Sequence, residues 1–321
     1  MKKSLLAGVI LLLVFAVFSS DTEAYEIEKR SDVSIRNDFP IGPTQFEIVV
    51  DRGDIITKQI QIDNRKGEKW KFMVEVEDFE GSLENPRENV ILRGSESGKY
   101  GAKDWVTPEM MEFETDHGDR LFMDVTIKIP ENADAGDHYA SVLISALPRE
   151  DDIDEIQGQN IRITSRAGIL FFIRVKGAIK EEGKVKSFES DRKWYEKTPV
   201  IFRTIFENTG SVRLRPYGSI IIKNMLGESI SGVEVVPFNV LRDSTRSMTE
   251  SFESDSFLIG KYTATLKMNR GYGDIVDEES VSFWIIPWKI ILVAIVSLIV
   301  FYGILKLIRK KFHLEVKIKK K

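Results

Sequence analysis

The sequence predicts an all-β protein: two tandem immunoglobulin-like β-sandwich domains followed by one C-terminal transmembrane helix. Three observations carry this expectation. Between Tyr25 and Trp284, short segments of period-two alternation are separated by Gly, Asn, Asp and Pro, with no apolar stripe of helical period. A short charged stretch, Lys180-Glu181-Glu182-Gly183-Lys184, divides these segments into two sets. Beyond them, Ile285 to Leu305 is apolar except for Lys289, which is the length a membrane-crossing helix needs.

Residues 1–24 begin with Lys2 and Lys3, continue as the uncharged run Leu5 to Phe18 and end at Ala24, the pattern of a secretory signal peptide cleaved after Ala24; an uncleaved N-terminal anchor is the alternative. Residues 25–179 form the first expected domain, with strands at Phe46–Val50, Ile55–Ile62, Trp70–Val76, Phe122–Ile129, His138–Ala146 and Ile161–Val175. Within the last of these, Ile169-Leu170-Phe171-Phe172-Ile173 is continuously apolar, which suits a strand covered on both faces. An excursion from about Phe79 to Lys103 is rich in turn formers. Long loops on rigid sandwiches often carry binding, so Glu80, Asn85, Arg87, Arg93, Lys99 and Tyr100 are candidate binding residues; a passive surface loop is the alternative.

Residues 180–284 form the second expected domain, with strands at Val200–Phe206, Gly218–Ile222, Ser229–Val236, Met248–Phe252, Tyr262–Met268 and Glu279–Trp284. A weak internal repeat links the two halves. Ile60-Gln61-Ile62-Asp63-Asn64 has its counterpart in Ile205-Phe206-Glu207-Asn208, and Gly136-Asp137-His138-Tyr139 in Gly260-Lys261-Tyr262. Tyr139 and Tyr262 stand where the corner tyrosines of immunoglobulin-like sandwiches stand; Gly-x-Tyr is also a common turn-to-strand transition.

Residues 285–305 are the expected span, with Trp284, Trp288 and Tyr302 as its aromatic belt. The tail, 306–321, carries eight Lys and Arg against Glu315 alone, so the positive-inside rule makes it cytoplasmic and the N-terminal part external. The chain's net charge of −4 therefore hides a division: residues 25–288 hold 35 basic and 47 acidic groups, or −12, and the tail is +7. An acidic exterior argues against a nucleic-acid partner and leaves the lipid bilayer, crossed once, as the partner the sequence names. The chain has no cysteine and no Asn-x-Ser/Thr acceptor site, which together favour a prokaryotic source.

Sites for chemistry are sparse. His117, His138 and His313 are the only histidines, and no zinc-hydrolase, nucleophile-elbow or phosphate-loop motif is present. No enzyme activity, cofactor or metal is expected. Glu150-Asp151-Asp152-Ile153-Asp154-Glu155 is dense enough in carboxylates for Ca²⁺, but lacks the spacing of a calcium loop and reads first as a solvated loop.

The whole arrangement resembles the WxL-interacting surface proteins of Gram-positive bacteria. The resemblance rests on Asp51-Arg52-Gly53-Asp54 leading to Ile60–Asn64, Trp70–Asp78 ending in Phe79-Glu80-Gly81, Gly168–Ile173, and Phe206-Glu207-Asn208-Thr209-Gly210 followed by Leu214–Gly218. It implies a first domain that binds peptidoglycan and a second that meets WxL-type or other surface proteins. The expected function is thus a membrane-anchored binding or adhesion protein of the bacterial envelope. The alternative is an accessory subunit or chaperone-like component of a membrane or secretion complex. The oligomeric state stays open.

Overall fold

The computed structural model describes residues 25–82, 84, 85, 87, 90–147, 154–156, 159–161 and 164–311. The expected signal peptide, most of the acidic run at 150–155, His313 and the tail beyond 311 lie outside the described residues. The chain is mostly β and separates into two compact units. Residues 25–80 and 91–179 belong to the first; 81–90 and the chain from Lys180 onward belong to the second. The excursion is therefore shared between units, where the sequence had placed all of it in the first domain.

In the first unit, β1 (Glu26–Lys29), β2 (Ile41–Gly42), β4 (Ile55–Asp63), β7 (Val106–Pro108) and β9 (Asp119–Lys128) make one sheet. The other consists of β3 (Gln45–Val50), β5 (Trp70–Glu80), β6 (Ile91–Leu92), β8 (Glu112–Thr115), β10 (Gly136–Ala146) and β13 (Arg166–Val175). A separate hairpin joins β11 (Asp154–Ile156) to β12 (Gln159–Ile161). Alternation explains the packing. Leu121, Met123, Val125 and Ile127 of β9 and Ile60 and Ile62 of β4 meet Phe72, Val74, Val142, Ile144, Ile169 and Phe171 from the other sheet in one core.

In the second unit, β14 (Gly183–Ser190), β16 (Val200–Asn208) and β19 (Ser244–Phe252) form one sheet. The facing sheet runs in the order β15 (Trp194–Tyr195), β21 (Val276–Ile285), β20 (Gly260–Asn269), β17 (Tyr217–Asn224), β18 (Ser229–Val235). Val200, Phe202 and Phe206 interlock with Ile220, Ile222, Ala264, Leu266 and Phe283. Two corrections follow. The charged stretch at 180–184 runs directly into β14, because Gly183 is buried where Leu214 and Phe206 leave no room for a side chain. The strand expected at Ile161–Val175 begins at Arg166.

The repeat seen in sequence has a physical counterpart. Asn64 and Asn208 are fully buried at the ends of β4 and β16. Each side-chain oxygen accepts the N–H two residues on: Lys66 at 2.9 Å in one unit and Gly210 at 2.8 Å in the other. Each side-chain nitrogen donates to the carbonyl four residues on, Glu68 at 3.0 Å and Val212 at 2.8 Å. It also reaches a distant segment: Thr115 in the first unit, Val240 and Leu241 in the second. One residue type thus satisfies a turn and staples it to a remote strand or loop.

The expected span is also corrected. Ile285 is the buried last residue of β21, and helix α1 runs from Trp288 to Lys311. Ile286 donates its N–H to Tyr195 O at 2.7 Å, and Pro287, which has no N–H to donate, precedes the first helical turn.

Removing the Asn208 amide takes the donor from the buried Val212 carbonyl and the acceptor from the Gly210 N–H, and leaves the Val240 and Leu241 carbonyls with only the Leu214 N–H and the Ser244 hydroxyl. Asn208→Ala should destabilise the second unit by about 2–3 kcal/mol. Asn208→Asp should cost more, since it sets a carboxylate against those carbonyls. Urea unfolding of the full chain in detergent, followed by circular dichroism, measures both; an Asn208→Ala variant as stable as the parent would refute the clamp.

Candidate functional site

The excursion is organised by one carboxylate. Asp78, near the end of β5, is 2% exposed, and its Oδ1 accepts the N–H groups of Ala102 at 2.8 Å and Lys103 at 2.7 Å. Its Oδ2 accepts that of Gly98 at 2.9 Å. Charge-assisted bonds to three amides fix the return of the loop more firmly than neutral acceptors would. The Lys103 ammonium closes the turn by donating to Ser95 O and Glu96 O.

The return of the loop is bonded to the start of β10: Tyr139 N–H donates to Tyr100 O and Ala102 N–H to Tyr139 O. Phe79, Tyr139 and Phe172 form an aromatic cluster apart from the main core, with ring centroids 5.2 to 5.9 Å apart. Every residue of β10 is buried. Ile169–Ile173 reads as covered on both faces because Phe171 enters the main core while Phe172 packs against Phe79 and Tyr139.

The candidate binding residues divide. Glu80, Arg93, Lys99 and Tyr100 are brought together on the first unit: Arg93 pairs with Glu80 at 3.4 Å and with Glu96 at 3.3 Å, and the Lys99 ammonium lies 5.0 Å from the Tyr100 ring. Asn85 and Arg87 are not among them. They belong to the segment grouped with the second unit, where Asn85 N–H donates to Ser82 Oγ and Ser82 O accepts from Thr245. Tyr262 is placed as a corner: its hydroxyl accepts the Ile259 N–H at 3.1 Å and lies 3.3 Å from Ile259 O. Tyr139 is fully buried beside the return of the excursion, its backbone bonded to Tyr100 and Ala102.

Both described histidines have structural surroundings. His117 Nδ1 accepts the Gly67 N–H at 3.1 Å, which leaves Nε2 to donate to Val33 O at 2.9 Å. His138 packs on Trp105 with its Nε2 at 3.0 Å from Asp134 O. Among the described residues, no group of three or more His, Cys, Asp or Glu is placed to hold a metal ion.

Ionised groups serve mainly as fasteners. Asp63, 6% exposed, receives Arg120 Nε at 2.8 Å and Nη2 at 3.0 Å, with Arg30 Nη2 at 2.9 Å. Burial pushes its carboxyl upward, but the Arg120 hydrogen bonds and the two guanidinium charges outweigh this and hold it below its ordinary value. In the second unit the Tyr195 phenol is pushed up to about 12 by burial and by its hydrogen bond to Asp191.

A second surface, which the sequence reading did not single out, lies where the second unit meets α1. A depression of about 360 Å³ is lined by Glu196, Lys197, Phe257, Leu258, Pro287 and Ile290, among others. Beside it Trp194 stacks on Trp284 with centroids 5.6 Å apart and planes 13° from parallel. Trp194 could have been flagged by its aromatic pair Trp194-Tyr195, but only parallel pairing with Trp284 and Ile285 brings it to the helix.

No family model and no curated protein matches this chain. Solved structures similar to it include the class 5 fimbriae chaperone CfaA, at 11% identity and a TM-score of 0.37, covering 78% of this chain and 100% of that one. Another is the Escherichia coli chaperone DraB, at 11% identity and 0.37, covering 78% and 98%. A third belongs to the CsuC–CsuE chaperone–tip adhesion subunit complex of Acinetobacter baumannii, at 12% identity and 0.37, covering 77% and 98%. These likenesses do not assign the chain to a family.

Two outcomes test the site's construction. Asp78→Asn, which replaces one acceptor oxygen by a donor facing amides, should speed tryptic cleavage at Arg93, Lys99 and Lys103 severalfold with the cores intact; unchanged cleavage would exclude the carboxylate as the organiser. Because folding lowers the Asp63 pKa, its stabilising contribution is complete above the unfolded value near 3.8 and is lost as pH falls through the lower folded value. Asp63→Asn should therefore be less stable than the parent at neutral pH, and the difference should shrink on acidification below about pH 4.

Proposed function

We propose that this chain is a membrane-anchored binding protein whose β-rich units lie on the side opposite its basic tail, and that its ligand is a polypeptide taken up along a sheet edge. The observation that carries the anchoring is α1. Its segment Trp288–Ile308 has 21 residues, the most apolar stretch within it has a mean hydropathy of 2.7, and none of that stretch is buried. At 1.5 Å per residue the segment rises about 32 Å, against about 30 Å of hydrocarbon. Lys306, Arg309, Lys310 and Lys311 fall in its last turns and would keep that end in the cytoplasm.

A binding role suits the β-rich part because many of its charged groups, and both described histidines, are engaged in fastening strands and loops. For a polypeptide ligand, the supporting feature is β18, which ends the larger sheet of the second unit and, among the described residues, pairs with β17 on one side only. An edge strand offers a row of backbone donors and acceptors, and pairing through them needs little sequence signature. A polypeptide ligand would make the protein an accessory or chaperone-like component of a membrane or secretion complex. The wall polymer and WxL-type partners implied by the family resemblance are the competing outcome.

Gly232 offers a clean perturbation, since it lies on β18 with open space where a side chain would extend. Full chain in detergent should retain envelope polypeptides but not isolated cell wall, and Gly232→Lys should abolish retention while leaving the circular dichroism unchanged. Retention by wall polymer alone, undisturbed by Gly232→Lys, would establish the other reading.

A further inference from the structure

The end of the second unit that carries α1 also carries a ring of uncovered apolar side chains. The strand register places them together. β20 starts at Gly260, opposite Ile285 at the end of β21, so the preceding loop with Phe257 and Ile259 lies beside the last residues before the helix. β17 ends at Asn224, opposite Tyr262, so the turn with Met225 and Leu226 lies on the same end; Met225 Cε is 3.1 Å from where a Gly260 side chain would begin. β15 brings Trp194 against Trp284. These residues and Trp288 are between 36% and 78% exposed.

Three of the protein's five tryptophans are at this end, two from β strands and one from the helix's first turn. Indole favours the layer between headgroup and acyl chain, where its apolar body is buried and its N–H stays hydrated. The one charge in the apolar run has a partner here as well. Lys289 donates to Glu196 at 3.0 Å, and its ammonium lies 5.5 Å from the Trp288 ring. Only Ile286 and Pro287 separate β21 from α1, and Ile286 is itself hydrogen-bonded to Tyr195. Two residues reach at most about 7 Å, so a helix that enters a bilayer near Trp288 brings the base of the unit to the headgroups.

We infer that this base is a bilayer-seating surface: Met225, Leu226, Phe257, Ile259 and Trp194 enter the interfacial layer of the leaflet in which α1 begins. The inference rests on the membrane anchoring proposed above and adds that the second unit is docked on lipid, with its orientation set by several contacts. Interfacial burial of apolar side chains favours such docking in proportion to the area removed from water. Lys193, Lys197 and Lys261 flank the same end, Lys261 opposite Trp284 in the register, and suit anionic headgroups.

Because the chain has no cysteine, single-cysteine variants report on single positions. Leu226→Cys and Phe257→Cys probe the base, Val236→Cys probes an exposed residue just past the far end of β18, and Leu298→Cys probes the middle of the helix. Each full-length variant carries a polarity-sensitive fluorophore in vesicles of phosphatidylcholine and phosphatidylglycerol. The expected result is severalfold weaker quenching by aqueous iodide at 226 and 257 than at 236, with a blue shift and quenching by lipid-borne nitroxide near the headgroup. Position 298 should be quenched by nitroxide deep in the acyl chains. Shielding at 298 with water-like behaviour at 226 and 257 would overturn the seating and leave the anchor standing. Water-like behaviour at 298 would overturn both. Adding Ile259→Glu to the Phe257→Cys protein should restore iodide access at 257; persistent shielding there would point to cover by protein and overturn a lipid seat.

Discussion

Each unit depends on one solution to the same problem: a strand that leaves its sheet exposes backbone groups to an apolar interior. Asn64 and Asn208 solve it with one amide apiece, closing the local turn through the side-chain oxygen and reaching carbonyls up to 51 residues away through the nitrogen. No hydrophobic residue has the donors and acceptor for this, and an aspartate would lack the donors. The alternation of β4 and β16 can then keep Ile62 and Phe206 in the cores close to the strand ends, because the turn that follows is satisfied from inside. With no cysteine to tie loops to strands, these polar staples and the two cores hold the fold.

The same economy governs the outer face of the first unit. A sheet of six strands exposes a second face to water unless something covers it. Here Phe79, Tyr139 and Phe172 bury one another on that face, and Asp78 fastens the return of the excursion beside them. Arg174 bound to Asp137 ties β13 to β10, and Arg166 bound to Glu77 ties β13 to β5. Rings buried against one another and flanked by ion pairs let the face carry charge without leaving the rings in water.

The sequence made the long strands legible and left the short ones hidden. Eleven of the twelve expected segments coincide with strands, most of them because they alternate over enough residues to display their period, as Val200–Asn208 does without a break; the twelfth, Ile161–Val175, contains β13 but starts five residues before it. Segments such as Ile41–Gly42, Ile91–Leu92 and Trp194–Tyr195 are too brief to have a period and exist only by pairing with a longer neighbour. Gly183–Ser190 was obscured by its charged approach. The role of Asp78 was equally invisible, since nothing in Glu77-Asp78-Phe79 says that three amides some 20 residues later converge on that carboxylate. The binding candidates were chosen by loop composition, which marks what is polar and not what is brought together; hence Asn85 and Arg87 separate from Glu80, Arg93, Lys99 and Tyr100.

The end of β21 shows how a charge inside an apolar run acquires meaning from structure. Read in sequence, Lys289 is a blemish in a span, and an unpaired ammonium at depth in hydrocarbon costs several kcal/mol. In the fold it is the second residue of α1 and is held by Glu196, the residue next to the Tyr195 backbone that fixes Ile286. The backbone bond therefore holds the link before the helix from β15, on which Trp194 stacks against Trp284, and the ion pair reaches the helix from the next residue along. A chain that needed only a flexible tether would gain nothing from such a grip. Holding the start of α1 against the sheet favours one direction of the helix relative to the second unit, with the backbone bond of Ile286 as the firmer hold and the exposed ion pair as the weaker.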